Sequence, residues 1–161
     1  MPEIVVIVHN IRSTHNVGSI FRTCEGYGVT KIILSGYSPY PSLANDGRLP
    51  HIKDKLSLQI HKTALGAEEL VEFEYQATPD FAKLKKDGFV IVALEQAKNS
   101  IDIRKFKAPQ KIALLLGEEV NGIEDDLLKQ CDQIIEIEMK GKKESFNVSV
   151  AVGIALYQLT I

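Results

Sequence analysis

Three polar segments of this chain carry residue types that could do chemistry. The first is Asn16-Val17-Gly18-Ser19-Ile20-Phe21-Arg22. A guanidinium fork matches phosphate oxygens well, so Arg22 is a candidate phosphate or sugar contact. A surface salt bridge is the plain alternative. The second segment is Gly117-Glu118-Glu119-Val120-Asn121-Gly122. It has the G-x-x-x-x-G spacing of a phosphate loop, but Ile123-Glu124 stand where Lys-Ser/Thr are required. Glu118 and Glu119 would also repel a phosphate. No G-x-G-x-x-G follows a strand, so ATP and NAD enzymes fit poorly. A cationic or neutral ligand suits the loop better, and an ordinary turn with Gly122 at positive φ accounts for the same residues. The third segment runs from Met139 to Asn147 and ends in Ser145-Phe146-Asn147. Asn147 reads as the N-cap of the last helix. Its amide and the Ser145 hydroxyl could equally face a ligand.

The elements around these segments predict how they are held. Apolar strands over Lys111–Leu116 and Gln133–Glu138 each run into a polar loop, and each loop opens a helix, Glu124–Gln130 and Asn147–Leu159. Ligands bind at the carboxyl ends of strands in open α/β sheets. Two such loops so close in sequence predict one pocket built from both. Upstream, Ile4–Val8 reads as a buried strand, and a helix starts near Asn16, taken as its N-cap. Val17, Ile20, Phe21, Cys24 and Tyr27 recur at helical spacing as its buried stripe, with Arg22 opposite. Lys31–Leu34 is a strand. Gly36–His51, with Pro39, Pro41, Gly47 and Pro50, predicts a long irregular loop. Thr63–Val71 reads as a helix and Glu72–Tyr75 as a short strand. Thr78-Pro79-Asp80 caps a helix to Lys86, and Phe89–Leu94 is a strand ending at Glu95-Gln96.

This alternation predicts an α/β fold: a mostly parallel sheet flanked by helices on both faces. No linker or repeat divides residues 1–161, so one domain is expected. The last helix is apolar around most of its circumference: Val148, Val150, Ala151, Val152, Ile154, Ala155, Leu156 and Leu159. It must be buried on several sides, which in a domain this small favours a second subunit.

Apolar residues make up 45% of the 161 residues and charged residues 25%, as in ordinary globular domains. The net charge of -2 gives no global nucleic-acid signal. Basic residues do cluster at Lys83, Lys85, Lys86, at Arg104, Lys105, Lys107, and at Lys140, Lys142, Lys143. Cys24 and Cys131 form no CxxC and read as buried free thiols. His9, His15, His51 and His61 show no ligand-type pairing, so no metal is expected. No apolar run approaches ~18 residues and no signal peptide is present. A soluble, cytoplasmic protein with no membrane partner is expected.

Together the three polar segments resemble the SpoU (TrmH-type) branch of the SPOUT-class RNA 2'-O-ribose methyltransferases. The first family motif is matched by Asn16 through Cys24 and then Gly28-Val29. The second is matched by Leu115 through Ile123, Cys131-Asp132, and Ile137-Glu138-Met139. The third is matched by Gly141 and Ser145-Phe146-Asn147-Val148-Ser149-Val150-Ala151. The resemblance covers nearly the whole chain. It implies an α/β knot, in which the C-terminal segment forms a deep trefoil that holds S-adenosylmethionine in a bent shape. It also implies a homodimer through the knot region and last helix. The cofactor contacts it implies are Leu94, Glu95, Leu116, Gly117, Ile137, Met139, Ser145 and Phe146. The catalytic set it implies is Arg22, Asn16, Glu119, Ser145 and Asn147. The chain departs from the family at Glu138, where proline is usual, and at Phe146, where leucine is commoner. It lacks the N-terminal RNA-binding extension of several relatives.

The implied reaction is in-line attack of a ribose 2'-oxygen on the sulfonium methyl, leaving S-adenosylhomocysteine. Arg22 would bind the substrate phosphate and stabilise the developing alkoxide, while Ser145 and Asn147 orient the ribose. The expected partner is RNA, with tRNA favoured over rRNA. The lysine clusters around Lys140–Lys143 and Arg104–Lys107 would track its backbone. The competing readings are an rRNA methyltransferase, a catalytically silent RNA-binding knot dimer, and a small-molecule enzyme on an unrelated nucleotide-binding sheet.

Overall fold

A computed structural model describes all residues from Met1 to Ile161. The strands are β1 (Glu3–His9), β2 (Lys31–Ser35), β3 (Glu72–Gln76), β4 (Val90–Leu94), β5 (Ile101–Asp102), β6 (Lys111–Leu116) and β7 (Gln133–Glu136). The helices are α1 (Thr14–Gly26), α2 (Pro50–Ala64), α3 (Phe81–Lys86), α4 (Asp125–Leu128) and α5 (Val148–Thr160). Short 3-10 turns lie at Ala67–Glu69 and Ile103–Lys105. The strands form one sheet in the order β3-β2-β1-β6-β4-β7-β5. Every pairing is parallel.

The sheet is buried on both faces, which explains why its central strands read as unbroken apolar runs. Alternate residues go to opposite sides. Val6, Val8, Leu34, Leu114 and Leu116 join α1, α2 and α5 in the larger core cluster. Val5, Ile7, Ile33, Ala113 and Leu115 join Phe81 and Leu84 of α3 and Leu127 of α4 in the smaller one. The chain steps outward from β1 to β3, then returns to build the other half of the sheet beyond β6. Loops at the carboxyl ends of β4, β6 and β7 therefore gather beside this reversal.

Several local expectations change. The α1 N-cap is Ser13, whose side chain accepts from the Asn16 N–H at 3.1 Å. Asn16 is thus inside the first turn and only 7% exposed. The expected loop over Gly36–His51 ends at Leu49, where the 15-residue helix α2 begins with Pro50 in its first turn. Thr63–Val71 holds only the end of that helix and a 3-10 turn. Helix α2 buries just Ile60 and Ala64, so it lacks the wide apolar stripe that marks a helix in sequence. It packs on α1 at Gly18, where any side chain would run into the Ile60 carbonyl and Thr63. Strand β5 had no signal at two residues. Cys24 is fully buried, but Cys131 follows α4 and is half-buried. Burial pushes the Cys131 thiol up to about 11.

The remaining loop before α2 is pinned. The Arg48 guanidinium donates to the Tyr40 and Pro41 carbonyls at 2.9 and 3.1 Å and pairs with Asp46. It lies 3.6 Å over the Tyr40 ring, which stacks on Tyr75 at 4.3 Å. The ion pair holds the Asp46 carboxyl well below the usual carboxylate range. No helix of the chain is long and apolar enough to cross a membrane.

Candidate active site at the carboxyl ends of β4, β6 and β7

A cavity of about 490 Å³ opens where β4, β6 and β7 end. Its floor is apolar, with Leu94, Leu116, Ile123, Ile137, Val148 and Ala151. Its charged side chains are all acidic: Glu95, Glu118, Glu119, Asp125, Glu136 and Glu144, with no lysine, arginine or histidine. An anion would be repelled by this field; a cation with an apolar body would be held.

The two loops predicted to share a pocket do so. Seven of the eight expected cofactor contacts line it: Leu94, Glu95, Leu116, Gly117, Ile137, Ser145 and Phe146. Met139 lies outside, half-buried. The Glu95 carboxylate is already committed. One oxygen accepts from the Ile123 N–H at 2.9 Å and the other from the Gln96 N–H at 2.9 Å. It occupies the space a side chain at Gly122 would need, and Gly122 itself has φ 67°. The carboxyl end of β4 thereby fixes the shape of the Gly117–Gly122 loop. Glycine is also required at Gly117, where a Cβ would enter Ile123 and the Gly122 backbone.

At the rim, three expected catalytic residues from three elements meet in one chain of hydrogen bonds. Asn147 Nδ2 donates to Asn16 Oδ1 at 3.3 Å, and Asn16 Nδ2 donates to the Glu119 carboxylate. Asn147 also caps α5 as expected, its Oδ1 accepting from the Ser149 N–H at 2.9 Å. The other end of its amide is given to Asn16, and of the three residues only Glu119 lines the cavity. Ser145 is exposed on the pocket wall beside this chain.

Arg22 is not brought to the pocket. It is exposed on α1 and pairs with no carboxylate, so the surface salt bridge offered as its plain explanation is not formed. Its neighbour Thr23 lies against α5, where a Cβ at Gly153 would meet Thr23 Cγ2 at 3.7 Å. The basic clusters also divide. Arg104 is taken by Asp102 and by Glu138, at 2.9 Å from the latter, and so is withdrawn from the expected RNA-tracking patch. Lys83 and Lys85 pair with Asp87 and Asp132. Lys140, Lys142 and Lys143 are exposed in the loop that carries Ser145. Sequence reasoning missed Ile123, Val148 and Ala151 as pocket residues. Their apolar types signal only a core, and the first turn of α5 serves both.

Residues 3–157 match the model of the SpoU rRNA Methylase family. The chain is 31% identical to a tRNA (guanosine(18)-2'-O)-methyltransferase of Aquifex aeolicus, over 97% of this chain and 68% of that one. It is 29% identical to a 23S rRNA (guanosine-2'-O-)-methyltransferase of Coxiella burnetii, over 98% of this chain and 58% of the relative. Among solved structures, an AdoMet-bound rRNA methyltransferase from Sinorhizobium meliloti superimposes with a TM-score of 0.81 at 26% identity, covering 98% of this chain. The chain spans only 55% of that protein. The motif residues, the parallel sheet and the position of the pocket agree with the sequence match along nearly the whole length, and the chain belongs to the SpoU methylase family.

Proposed function

We propose that this protein is a cytoplasmic homodimer that transfers a methyl group from S-adenosylmethionine to a ribose 2'-hydroxyl of tRNA, with residues 1–161 acting as one domain. The observation that carries the reading is the cavity itself. It is apolar at its floor, acidic in all its charged groups, and bordered by the Asn147–Asn16–Glu119 chain. S-adenosylmethionine joins a flat aromatic adenine to a methionine part whose sulfonium and ammonium outweigh its one carboxylate, and this net cation suits such a lining; it supplies an activated methyl. The names of the relatives support RNA as the acceptor, and the tRNA enzyme of A. aeolicus supports tRNA over rRNA. A deep C-terminal knot enclosing the cofactor goes with this reading.

The chain's own residues then have definite work. The loops after β4, β6 and β7 hold the donor and keep water out. Ser145 and Asn147 orient the ribose, and positioning contributes most of the rate enhancement. Arg22 binds the substrate phosphate and stabilises the alkoxide that develops at the 2'-oxygen. A guanidinium holds its proton too tightly to be the base. Arg22 lies outside the pocket of its own chain, on α1, which packs against α5. A dimer joined through α5 would carry Arg22 towards the partner subunit's pocket.

The test is methyl transfer from labelled S-adenosylmethionine to total tRNA and, separately, to rRNA, with Arg22→Ala and Arg22→Lys as comparisons. Alkali-resistant label in tRNA, lost in Arg22→Ala and largely lost in Arg22→Lys, is expected. Label in rRNA alone would move the substrate to the ribosome. Full turnover by Arg22→Lys would remove the bidentate phosphate role. Neither label nor binding of S-adenosylmethionine would favour a silent RNA-binding protein.

A further inference from the structure

Adjacent carboxylates of the Gly117–Gly122 loop reach in two directions. Glu119 accepts from Asn16 in the chain described above. Glu118 accepts from the Tyr37 hydroxyl at 2.9 Å. Tyr37 follows β2 and is 46% exposed, so it contributes little to either core cluster. It is nevertheless fixed along its whole length. Its N–H donates to Asn10 Oδ1 at 3.1 Å, and Asn10 Nδ2 donates to Glu124 at 2.9 Å. Asn10 has φ 55° and the preceding Gly36 has φ 63°. Two residues in the left-handed region flank one presented ring, and for Asn10 that conformation is uncommon. The Arg12 guanidinium lies 4.8 Å from the ring centroid.

A half-exposed aromatic ring, held rigid and carrying a cation, is the arrangement on which unpaired nucleobases stack. It stands on the loops after β1 and β2, at the same edge of the sheet as the pocket, and one hydrogen bond joins it to the pocket wall. We propose that Tyr37 and Arg12 form a nucleotide-binding subsite for the RNA unit next to the methylated ribose. Tyr37 stacks its base, and Arg12 holds its phosphate. The subsite rests on the RNA methyltransferase reading and narrows it. Stacking on one ring requires a base free of its helix, so the nucleotide beside the acceptor is unpaired and the methylated site lies in or next to a loop.

The test compares Tyr37→Ala, Tyr37→Phe and Arg12→Ala with the wild type. Affinity is measured for bulk tRNA and for an unstructured oligouridylate, and S-adenosylmethionine affinity is measured separately. Tyr37→Ala is expected to weaken both RNAs about tenfold or more and to leave S-adenosylmethionine binding unchanged. Tyr37→Phe keeps the ring and loses only the Glu118 bond, so it is expected to stay within about threefold of wild type, below the loss typical of a stacked base. Arg12→Ala is expected to reduce the salt dependence of RNA binding by about one phosphate contact. If Tyr37→Phe is as damaging as Tyr37→Ala, the ring is a brace for the loop and the subsite is wrong. Wild-type methyl transfer with unchanged RNA affinity in Tyr37→Ala overturns the subsite alone. No transfer to any RNA by the wild type overturns the subsite and the enzyme reading together.

Discussion

At the scale of single residues, Asn16 ties the site together. It is nearly buried, its backbone N–H is capped by Ser13, and its amide is shared between Glu119 and Asn147. Replacing it by alanine would leave a carboxylate and an amide without their partner. Both partners are exposed and can turn to water, so the loss is that of the bonds themselves, about 1–3 kcal/mol with one of them made to a carboxylate. Asn16→Ala is therefore expected to lower the melting temperature by several degrees. It should also reduce methyl transfer by more than that loss of folded protein explains, with S-adenosylmethionine affinity retained. Calorimetry beside a transfer assay checks this, and normal turnover per folded molecule would remove Asn16 from the site. The residue types around the site were legible because amides, carboxylates and glycines stood in loops after apolar strands. Their pairing was not, since Asn16 and Asn147 are far apart in sequence and nothing local predicts that two amides will meet. Asn16 itself reads as a helix cap because asparagine and serine are favoured alike at that position.

At the scale of elements, six of the seven strands were readable, and β5 and α2 were not. Strands buried on both faces leave long apolar runs, which the sequence displays plainly. Helix α2 lies on the outside and leaves Leu49, Ile52 and Leu58 exposed, so its periodicity is blurred and only Pro50 marks its start. What fixes it is tertiary: the bare backbone of Gly18 lets α1 and α2 come together. Two glycines give opposite expectations. Gly18→Ala would drive a Cβ into the Ile60 carbonyl and Thr63. Overpacking of this kind costs about 1–3 kcal/mol or more. A Cβ at Gly153, in α5, would meet only Thr23 Cγ2 at 3.7 Å, an ordinary contact. There, alanine should gain up to about 1 kcal/mol of helix propensity. Denaturant melts of the two variants should therefore move in opposite directions. Destabilisation of equal size in both would show that α1 cannot tolerate any change along its contact with α5.

At the scale of the whole molecule, the proposed role of Arg22 needs a second chain, because Arg22 stands outside the cavity of its own. Helix α5 suggests where that chain joins. Val152, Ala155, Leu156 and Leu159 face the core, while Val150, Ile154 and Tyr157 remain 50%, 36% and 60% exposed. An apolar helix face left in water marks an interaction surface. Because α5 packs on α1, the helix that carries Arg22, a second copy of this chain is the occupant that would serve the proposed chemistry. The helix reads as apolar around most of its circumference from sequence alone, so the need for a cover was legible. Which residues stay uncovered was not, since that depends on how α5 seats against α1. Replacing Ile154 and Tyr157 together by aspartate would set charges on this face without touching the pocket wall. The double variant is expected to be monomeric by light scattering, to bind S-adenosylmethionine with near wild-type affinity, and to lose methyl transfer. A monomer that keeps full turnover would mean that Arg22 serves the pocket of its own chain. A variant that stays dimeric would move the interface to another surface. If S-adenosylmethionine binding were lost along with the dimer, the second subunit would be needed to hold the cofactor loops themselves, and the cavity would not be a finished site in one chain.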